Sequence, residues 1–325
     1  MNILAFEGTA HTASVAIVKK GKIVTNLKHS YTTQQPTGMV PREVAEHHAS
    51  HLKDLTLQAL KQANVSMREI DVLAYSAGPG LGAALQVINS FVTALSIKHN
   101  LLLYPIHHSF AHLIVANYIA KAKDPLYIYV SGGNTQLIML KDNLHPVVYG
   151  ETEDIALGNA LDKLARELGY GFPGGKHIED AAKKADKFIE MPYTVKGMDL
   201  SYAGLVTFAS KLKDKETKEN IAYGFQEHAF AMLMEVAERA LAYTEKEEVV
   251  LTGGVALNSR LQEMLKSMAE ERGIKYLKLE PQYLGDNAAM IGVAAWHFHL
   301  HGIEPLKSEE AFTKPRWRIE KHLEW

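Results

Sequence analysis

Short apolar runs alternate along the chain with longer segments whose apolar residues recur at three- and four-residue spacing. The runs predict strands at "NILAFEG", "TASVAIVKK", "KIVTNLKHS", "IDVLAYS", "LLLYPI", "LYIYV", "TQLIML", "EVVLT" and "IKYLKL". The longer segments predict helices over about 41–63, after "GPGLG", at "HHSFAH", through most of about 155–245, at "NSRLQEMLKSMAEERG" and from about 285. This alternation indicates an α/β fold with at least partly parallel sheets.

The opening strand–turn–strand unit has a later counterpart. "LAFEGTAHTASVAIV" and "IYVSGGNTQLIML" share an architecture but not a sequence, which indicates an internal structural repeat. We therefore expect an N-terminal lobe over residues 1–122, which carries the "HHSFAH" helix near its end and to which the last helix can return. A C-terminal lobe over 123–325 would contain a helical insertion at about 155–245.

Glycine-rich turns recur at "EGTA", "GPGLG", "SGGNT", "FPGGK" and "TGGVALN". Glycine lets the backbone approach a phosphate closely enough for its N–H groups to bind it. One such turn is more simply structural, because a helix that begins at glycine needs no ligand. Five turns in one chain favour a nucleotide-binding cleft between the two lobes.

Composition narrows the class of protein. The 325 residues have a net charge of −2, so any basic surface for nucleic acid is local or supplied by a partner. The chain has no cysteine, which excludes disulfides and Cys-ligated metal sites. Apolar stretches stay shorter than the roughly 18 residues of a membrane span, and the first residues lack a signal-peptide pattern. These features predict a cytoplasmic protein that does not insert into membranes.

Histidines four residues apart offer candidate metal-binding pairs, because such residues share one face of a helix. The chain has three pairs at this spacing: His47/His51, His108/His112 and His297/His301. With 16 histidines in the chain, spacing alone favours a solvated or packed pair over a ligand pair in each case.

Several ordered motifs then resemble one family. They are "FEGTAHT", "YVSGGNTQL", "GNALDKLARELG", "GFPGG", "KGMDLSYAGL", "LTGGVALNSRL" and "GDNAAMIG". The chain resembles the universal tRNA threonylcarbamoyladenosine synthases, in particular the catalytic subunit of the archaeal and eukaryotic KEOPS complex. The resemblance implies two RNase-H-like lobes of the actin/Hsp70/sugar-kinase type. It also implies transfer of a threonylcarbamoyl group from threonylcarbamoyl-AMP to N6 of the adenosine 3′ of the tRNA anticodon.

The resemblance singles out the pair in "HHSFAH". It implies that His108 and His112 bind a metal ion together with Tyr129 and Asp286. Imidazoles with carboxylate and phenolate oxygen suit iron or zinc better than magnesium. Such an ion would polarise the carbonyl that N6 attacks, so these four residues are also the expected catalytic set.

The resemblance also implies a site for ATP or threonylcarbamoyl-AMP. Its expected residues are Tyr129, Val130, Ser131, Gly132, Gly133, Asp162, Gly175, Glu179 and Asn258. Simpler interpretations exist for some of them. Asp162 and Glu179 lie in charged helical stretches that are usually solvated, and Asn258 can be a helix cap. Likewise, His48 and Arg42 mark a helix that is either a tRNA-facing surface or an ordinary polar helix.

Partners follow from the resemblance. They are tRNA, a small atypical protein kinase, a small dimerising subunit and a third small regulatory subunit. In some archaea the kinase follows the catalytic domain in one chain, and "PRWRIEKHLEW" lies near where such a linker would begin. The near-neutral charge predicts weak tRNA binding by this subunit alone.

Three other functions compete with this one. A small-molecule kinase or ATPase of the same superfamily would share the fold, and a non-catalytic nucleotide-binding scaffold would keep the glycine turns. A zinc protease needs glutamate directly after its first histidine to activate water. Ser109 occupies this position and cannot serve, which argues against a protease.

Overall fold

The structure, a computed structural model, describes residues 1–33 and 39–325. Two compact units are distinguished. The first comprises Met1–Thr32, Met39–Ile119 and Asp286–Trp325, and the second contains Ala120–Gly285. The last 40 residues, 286–325, therefore belong to the first unit, whereas a single division near residue 122 would place them in the second.

The elements follow the order that the apolar pattern predicts. The strands are β1 (Asn2–Glu7), β2 (Thr12–Lys19), β3 (Lys22–Ser30), β4 (Val72–Gly78), β5 (Leu102–His107), β6 (Leu126–Val130), β7 (Thr135–Lys141), β8 (His145–Glu151), β9 (Val195–Lys196), β10 (Asp199–Leu200), β11 (Glu248–Thr252) and β12 (Lys275–Leu277). The helices are α1 (Pro41–Ala63), α2 (Gly82–His99), α3 (His108–Ala120), α4 (Leu157–Glu167), α5 (Gly174–Ala182), α6 (Ala203–Ser210), α7 (Lys218–Thr244), α8 (Ser259–Arg272), α9 (Pro281–Leu284) and α10 (Ala288–Leu300).

Each unit is built on a five-stranded mixed sheet with the same topology. The first sheet has the order β3-β2-β1-β4-β5, and the second has the order β8-β7-β6-β11-β12. In both, the first three strands in sequence form an antiparallel meander, and the last two run parallel to the first of them. The predicted α/β class and the predicted repeat of architecture are confirmed.

Helices cover both faces of the first sheet. Leu4 and Phe6 of β1 belong to a buried cluster with residues of α1 and α2, such as Leu52 and Ile88. The alternate residue, Ala5, faces α10, because a Cβ placed on Gly292 would lie 3.2 Å from the Ala5 Cβ. Successive side chains of a strand point to opposite faces, so β1 is buried on both sides. The short apolar runs of the sequence reflect this double burial.

The apolar pattern does not predict every element. β8, "HPVVYGE", contains proline and glycine, which weaken a strand pattern, and it pairs with β7 at the edge of its sheet. The helical stretch at about 155–245 contains α4 to α7 as expected, but the two-residue strands β9 and β10 interrupt it. Among the described residues, no helix has both the length and the apolar character needed to cross a membrane.

A candidate metal centre and a glycine-rich strand edge

The first unit gathers polar side chains where its parallel strands end. Glu7 is the last residue of β1, and His108 begins α3 directly after β5. The carboxyl ends of parallel strands lie at one edge of a sheet, where α/β proteins usually bind ligands. His112 follows one helical turn later on α3. The sequence "HHSFAH" therefore places both imidazoles at this edge.

Asp286 reaches the same place from the other end of the chain. Its neighbour Asn287 caps α10, accepting a hydrogen bond from the Met290 N–H at 3.1 Å. The first N–H of α10, from Ala288, donates to Ser14 Oγ of β2 at 2.8 Å. The helix start is thus held against the sheet, and this fixes the position of the aspartate before it.

The two histidines converge on a single carboxylate oxygen. The Nε2 atoms of His108 and His112 lie 3.5 and 3.4 Å from Asp286 Oδ1. One donor atom from each of the three residues lies within 4.8 Å of the other two. The two rings are nearly perpendicular, at 83°, so their nitrogens approach the same point from different directions. Of the four predicted metal ligands, these three come together within the first unit.

Glu7 and Thr9 contact His108 at Nδ1, the ring nitrogen that faces away from Asp286. Glu7 Oε1 accepts hydrogen bonds from the Thr9 N–H at 2.7 Å and the Thr9 hydroxyl at 2.6 Å. Glu7 Oε2 lies 3.1 Å from His108 Nδ1. Because a carboxylate only accepts, His108 Nδ1 carries the proton and donates it. This hydrogen bond leaves Nε2 directed at Asp286, an arrangement typical of metal-binding histidines. The sequence marks "EGTA" only as a glycine-rich turn, and the contact of Glu7 with His108 depends on the fold.

The electrostatics of the cluster favour a positive charge. Burial alone would lower the pKa of His108, but the charges of Glu7 and Asp286 outweigh it and raise the pKa to about 9. Burial lowers the pKa of His112. Burial would raise the pKa of Asp286, but the charge of His108 and the hydrogen bond with His112 hold it well below its usual range. The two carboxylates therefore favour a positive charge between them, which either a proton on His108 Nε2 or a bound metal ion would supply.

This donor set fits a transition-metal ion. Two imidazole nitrogens and one carboxylate oxygen are the ligands that zinc and iron accept, and they converge without rearrangement of the backbone. The side chains of His112 and Glu7 are fully buried, and those of His108 and Asp286 are 9% and 15% exposed. The fourth predicted ligand, Tyr129, belongs to the second unit.

The second unit has its own glycine-rich edge, where β6 and β11 end side by side. Tyr129 on β6 pairs with Thr252 on β11, and Tyr129 and Val130 are fully buried. Gly253 follows β11 with φ of +96°, a left-handed value that favours glycine. A Cβ there would lie only 2.2 Å from the Val130 carbonyl oxygen. The "TGG" turn therefore packs directly against the start of the "SGG" turn.

The Ser131–Gly133 turn is held by short hydrogen bonds. The Ser131 N–H donates to the Asn134 carbonyl at 2.8 Å, and the Asn134 N–H donates to Ser131 Oγ at 3.0 Å. The Ser131 carbonyl accepts from the Gly158 N–H of α4 at 3.1 Å. Gly132 and Gly133 are exposed at the tip. Because a Cβ on Gly158 would lie 2.5 Å from the Ser131 carbonyl oxygen, glycine is required for this contact.

The two carboxylates predicted to bind ribose lie on helices of this unit. Asp162 on α4 accepts a hydrogen bond from the Gly174 N–H at 2.7 Å, which ties α4 to the start of α5 beside Gly175. Glu179 on α5 is buried, and its Oε1 accepts from Ser259 Oγ at 2.5 Å and from the Ser259 N–H at 3.2 Å. Glu179 therefore does not lie on a solvated helix face.

Asn258 is a helix cap. Its side-chain oxygen accepts from the Leu261 N–H at 3.1 Å at the start of α8, and its Nδ2 donates to Gln226 Oε1 at 3.0 Å. The simpler of its two interpretations holds in the structure, and a contact with nucleotide stays a prediction.

His48 also differs from the surface role considered for its helix. It is fully buried, and its Nε2–H donates to the Ala10 carbonyl at 2.9 Å. Arg42 is exposed and pairs with Glu46 at 2.9 Å. The buried face of α1 thus contacts the loop after β1, and a tRNA-facing surface on α1 would not include His48.

Comparison with known proteins identifies the family. A family model described as TsaD, tRNA N6-adenosine threonylcarbamoyltransferase, matches residues 22–293. The tRNA N6-adenosine threonylcarbamoyltransferase of Thermococcus sibiricus is 47% identical over 323 residues, 99% of this chain and 98% of that protein. A probable bifunctional tRNA threonylcarbamoyladenosine biosynthesis protein of Methanothermobacter thermautotrophicus is 44% identical over 91% of this chain and 55% of its own length.

A solved structure supports the fold alone. Component A of the Acidaminococcus fermentans (R)-2-hydroxyglutaryl-CoA dehydratase has a TM-score of 0.59 at 16% identity, covering 91% of this chain and 98% of that one. The 47% identity over nearly the whole chain confirms the predicted family. The two sheets of common topology confirm the predicted actin/Hsp70-like α/β class. The chain belongs to the tRNA N6-adenosine threonylcarbamoyltransferase family, a family of tRNA-modifying transferases.

Proposed function

We propose that this chain transfers the threonylcarbamoyl group of threonylcarbamoyl-AMP to N6 of adenosine 37, 3′ of the anticodon, in ANN-decoding tRNAs. The N6–carbon bond forms, the bond from that carbon to the phosphate oxygen breaks, AMP takes the electron pair, and N6 loses a proton. The observation that carries the proposal is the convergence of His108 and His112 on Asp286 in a chain of this family.

His108, His112 and Asp286 would hold one iron or zinc ion. When bound, the ion would act as a Lewis acid on the carbonyl group that N6 attacks. Tyr129, the fourth ligand that the family resemblance implies, stays a prediction.

The chain's own residues position and shield this site. Glu7 holds the proton of His108 on Nδ1 and so keeps Nε2 available as a ligand atom. Thr9 directs both its hydroxyl and its N–H at Glu7, which fixes the carboxylate. Because His112 and Glu7 are buried, they would limit the access of water to the ion, and so the hydrolysis of an anhydride bound there.

The glycine-rich edge of the second unit would bind ATP or threonylcarbamoyl-AMP. Backbone N–H groups of the exposed Gly132–Gly133 tip suit a phosphate group, and the nearby Gly253 turn permits a close approach. Asp162 on α4 and Glu179 on α5 would supply carboxylates for ribose hydroxyls, and Gly175 lies in the first turn of α5. Val130, Ser131 and Asn258 complete the expected set.

Partners and location are proposed from the family resemblance. The KEOPS subunits predicted above (the atypical kinase, the dimerising subunit and the small regulatory subunit) would assemble with this chain and supply basic surface for tRNA. The reaction on tRNA would take place in the cytoplasm.

Reconstituted transfer tests the proposal. The chain, the three small subunits, threonylcarbamoyl-AMP and an unmodified ANN-decoding tRNA are incubated, and modified nucleoside is measured by mass after digestion. We expect product with the unaltered chain and its loss in His108→Ala. His145→Ala, a substitution of an exposed histidine on β8, is the matched control and should retain activity.

Two alternative functions predict other results. A small-molecule kinase would turn over ATP when sugars are added, and a scaffold would bind ATP without turnover of either kind. Absence of modified nucleoside with every partner present would reject the transferase.

A further inference from the structure

A second histidine cluster lies elsewhere in the first unit. His29 on β3 meets His47 and His51, which are one turn apart on α1. His29 Nδ1 lies 2.7 Å from His47 Nε2, and the rings of His29 and His51 stack at 3.9 Å between centroids. One ring nitrogen from each residue lies within 4.8 Å of the other two. The third histidine comes from a different element, so helical spacing alone could not reveal it.

Hydrogen bonds around the cluster fix which nitrogens of His47 and His51 carry protons. His51 Nδ1 lies 2.7 Å from the His47 carbonyl oxygen, which only accepts, so Nδ1 is protonated and Nε2 has a lone pair. His48 Nε2–H donates to the Ala10 carbonyl, so in neutral His48 the Nδ1 atom is an acceptor. That atom lies 3.1 Å from His47 Nδ1, which therefore donates and leaves Nε2 of His47 unprotonated.

The lone pairs of two imidazoles are thus set by their outer hydrogen bonds. A histidine whose Nδ1–H donates to a backbone carbonyl is the usual arrangement when Nε2 binds a metal. In His47, Nε2 already faces the third ring, that of His29. His29 Nδ1–H points at that lone pair, so an ion shared by the two residues would replace this proton.

The distances suit a tetrahedral ion. Zinc–nitrogen bonds of about 2.0–2.1 Å at tetrahedral angles separate the nitrogens by about 3.4 Å. The observed separations, from 2.7 Å for the His29–His47 pair to no more than 4.8 Å, bracket this value. His29 is exposed, and His47 and His51 are partly exposed, so solvent can reach the cluster and provide a fourth ligand.

We propose that His29, His47 and His51 form a second metal site, which binds a divalent transition-metal ion such as Zn²⁺ and links β3 to α1. Its ligands are all imidazole, whereas the His108 centre includes a carboxylate. The two sites share no residue. Stacking of three neutral rings without an ion is the competing explanation, and metal titration separates the two.

The test counts bound zinc in the untagged full-length chain. The protein is freed of metal with a chelator and titrated with Zn²⁺ against a chromophoric competitor. We expect two tight equivalents in the unaltered chain and one in His29→Ala and in His51→Ala. The His108→Ala/His112→Ala double variant should also bind one equivalent, and His145→Ala should bind two.

A thermal measurement gives an independent readout. Zn²⁺ should raise the Tm of the His108→Ala/His112→Ala variant, because only the folded state holds the second site together. Adding His51→Gln to that variant should abolish the zinc-dependent rise, while its metal-free Tm shows whether it still folds.

Either of two results would overturn the second site. One is an unchanged zinc count in both His29→Ala and His51→Ala. The other is loss of all tight zinc from the folded His108→Ala/His112→Ala variant. Failure of the transfer reaction or of the first centre leaves the second equivalent in place, so the two proposals fail separately.

Discussion

Replacing Glu7 with glutamine probes how the first centre is supported. The Thr9 hydroxyl and N–H both point at Glu7 Oε1, so a glutamine at this position would keep its carbonyl oxygen there. Its amide NH₂ would then face His108 Nδ1, which lies 3.1 Å from Oε2 in the structure. An amide donor needs an acceptor, so the proton of His108 would move to Nε2 and block the ligand atom. The substitution also removes a negative charge that favours a bound cation.

The expected loss of metal affinity follows from the role of Glu7 as a hydrogen-bond partner of the ligand His108. Substitutions of such outer partners weaken metal binding about 10- to 100-fold, or about 1.4–2.8 kcal/mol. We expect the lower half of this range, because the Thr9 hydroxyl oxygen, 3.1 Å from His108 Nδ1, can still accept its proton. Because the Glu7 side chain is fully buried, solvent screens the loss of its charge only weakly, and the change in affinity should be measurable.

Zinc affinity is measured by chelator competition in a His51→Ala parent, so that only the first centre is counted. Glu271→Gln, which alters an exposed glutamate on α8, is the matched control and should leave affinity unchanged. A Glu7→Gln variant that folds and binds zinc as tightly as its parent would refute the reasoning.

Other substitutions test the remaining parts of the structure. Gly158→Ala should displace the turn at Ser131, since its Cβ would lie 2.5 Å from that carbonyl oxygen, and should weaken ATP binding in calorimetry. Gly204→Ala, whose Cβ has no neighbour within 4 Å, should leave ATP affinity unchanged, and equal affinity in both variants would contradict the assignment. Asp154→Asn should lower the free energy of unfolding in urea at pH 7 by about 1 kcal/mol. The Asp154 carboxylate accepts hydrogen bonds from the Tyr202 and Ala203 N–H groups at the start of α6 and so acts as its cap. Burial would raise the pKa of Asp154, but a serine hydroxyl and backbone N–H groups lower it, so its contribution is present above the unfolded pKa of 3.8 and disappears as pH falls through the lower folded value. The asparagine variant should show less acid destabilisation, and an equal loss in both proteins would argue against the cap. Gly292→Ala should lower stability by about 1–3 kcal/mol through overlap with the first sheet, where its Cβ would lie 2.7 Å from a valine methyl; an unchanged Tm would contradict this.

The local sequence pattern determined most of the secondary structure of this protein. The period of apolar residues predicted most of the strands and helices, because burial on one or both faces follows directly from backbone geometry. The same local information carried the glycine turns and the spacing of His108 and His112. It failed where elements were short or contained proline, as in β8, and where a side chain had two plausible partners. Asn258 was expected to contact nucleotide, with a helix cap as the simpler alternative, and the structure shows the cap.

The tertiary structure decided which distant residues meet. Asp286 lies 174 residues after His112, and Glu7 lies 101 residues before His108, yet a parallel strand edge and a returning helix bring them together. His29 joins the His47/His51 pair only because β3 lies beside α1. Spacing along a helix is fixed by 3.6 residues per turn and can be read from sequence. Contacts between elements depend on strand order, register and the direction in which the chain returns, and these are set by packing of the whole unit.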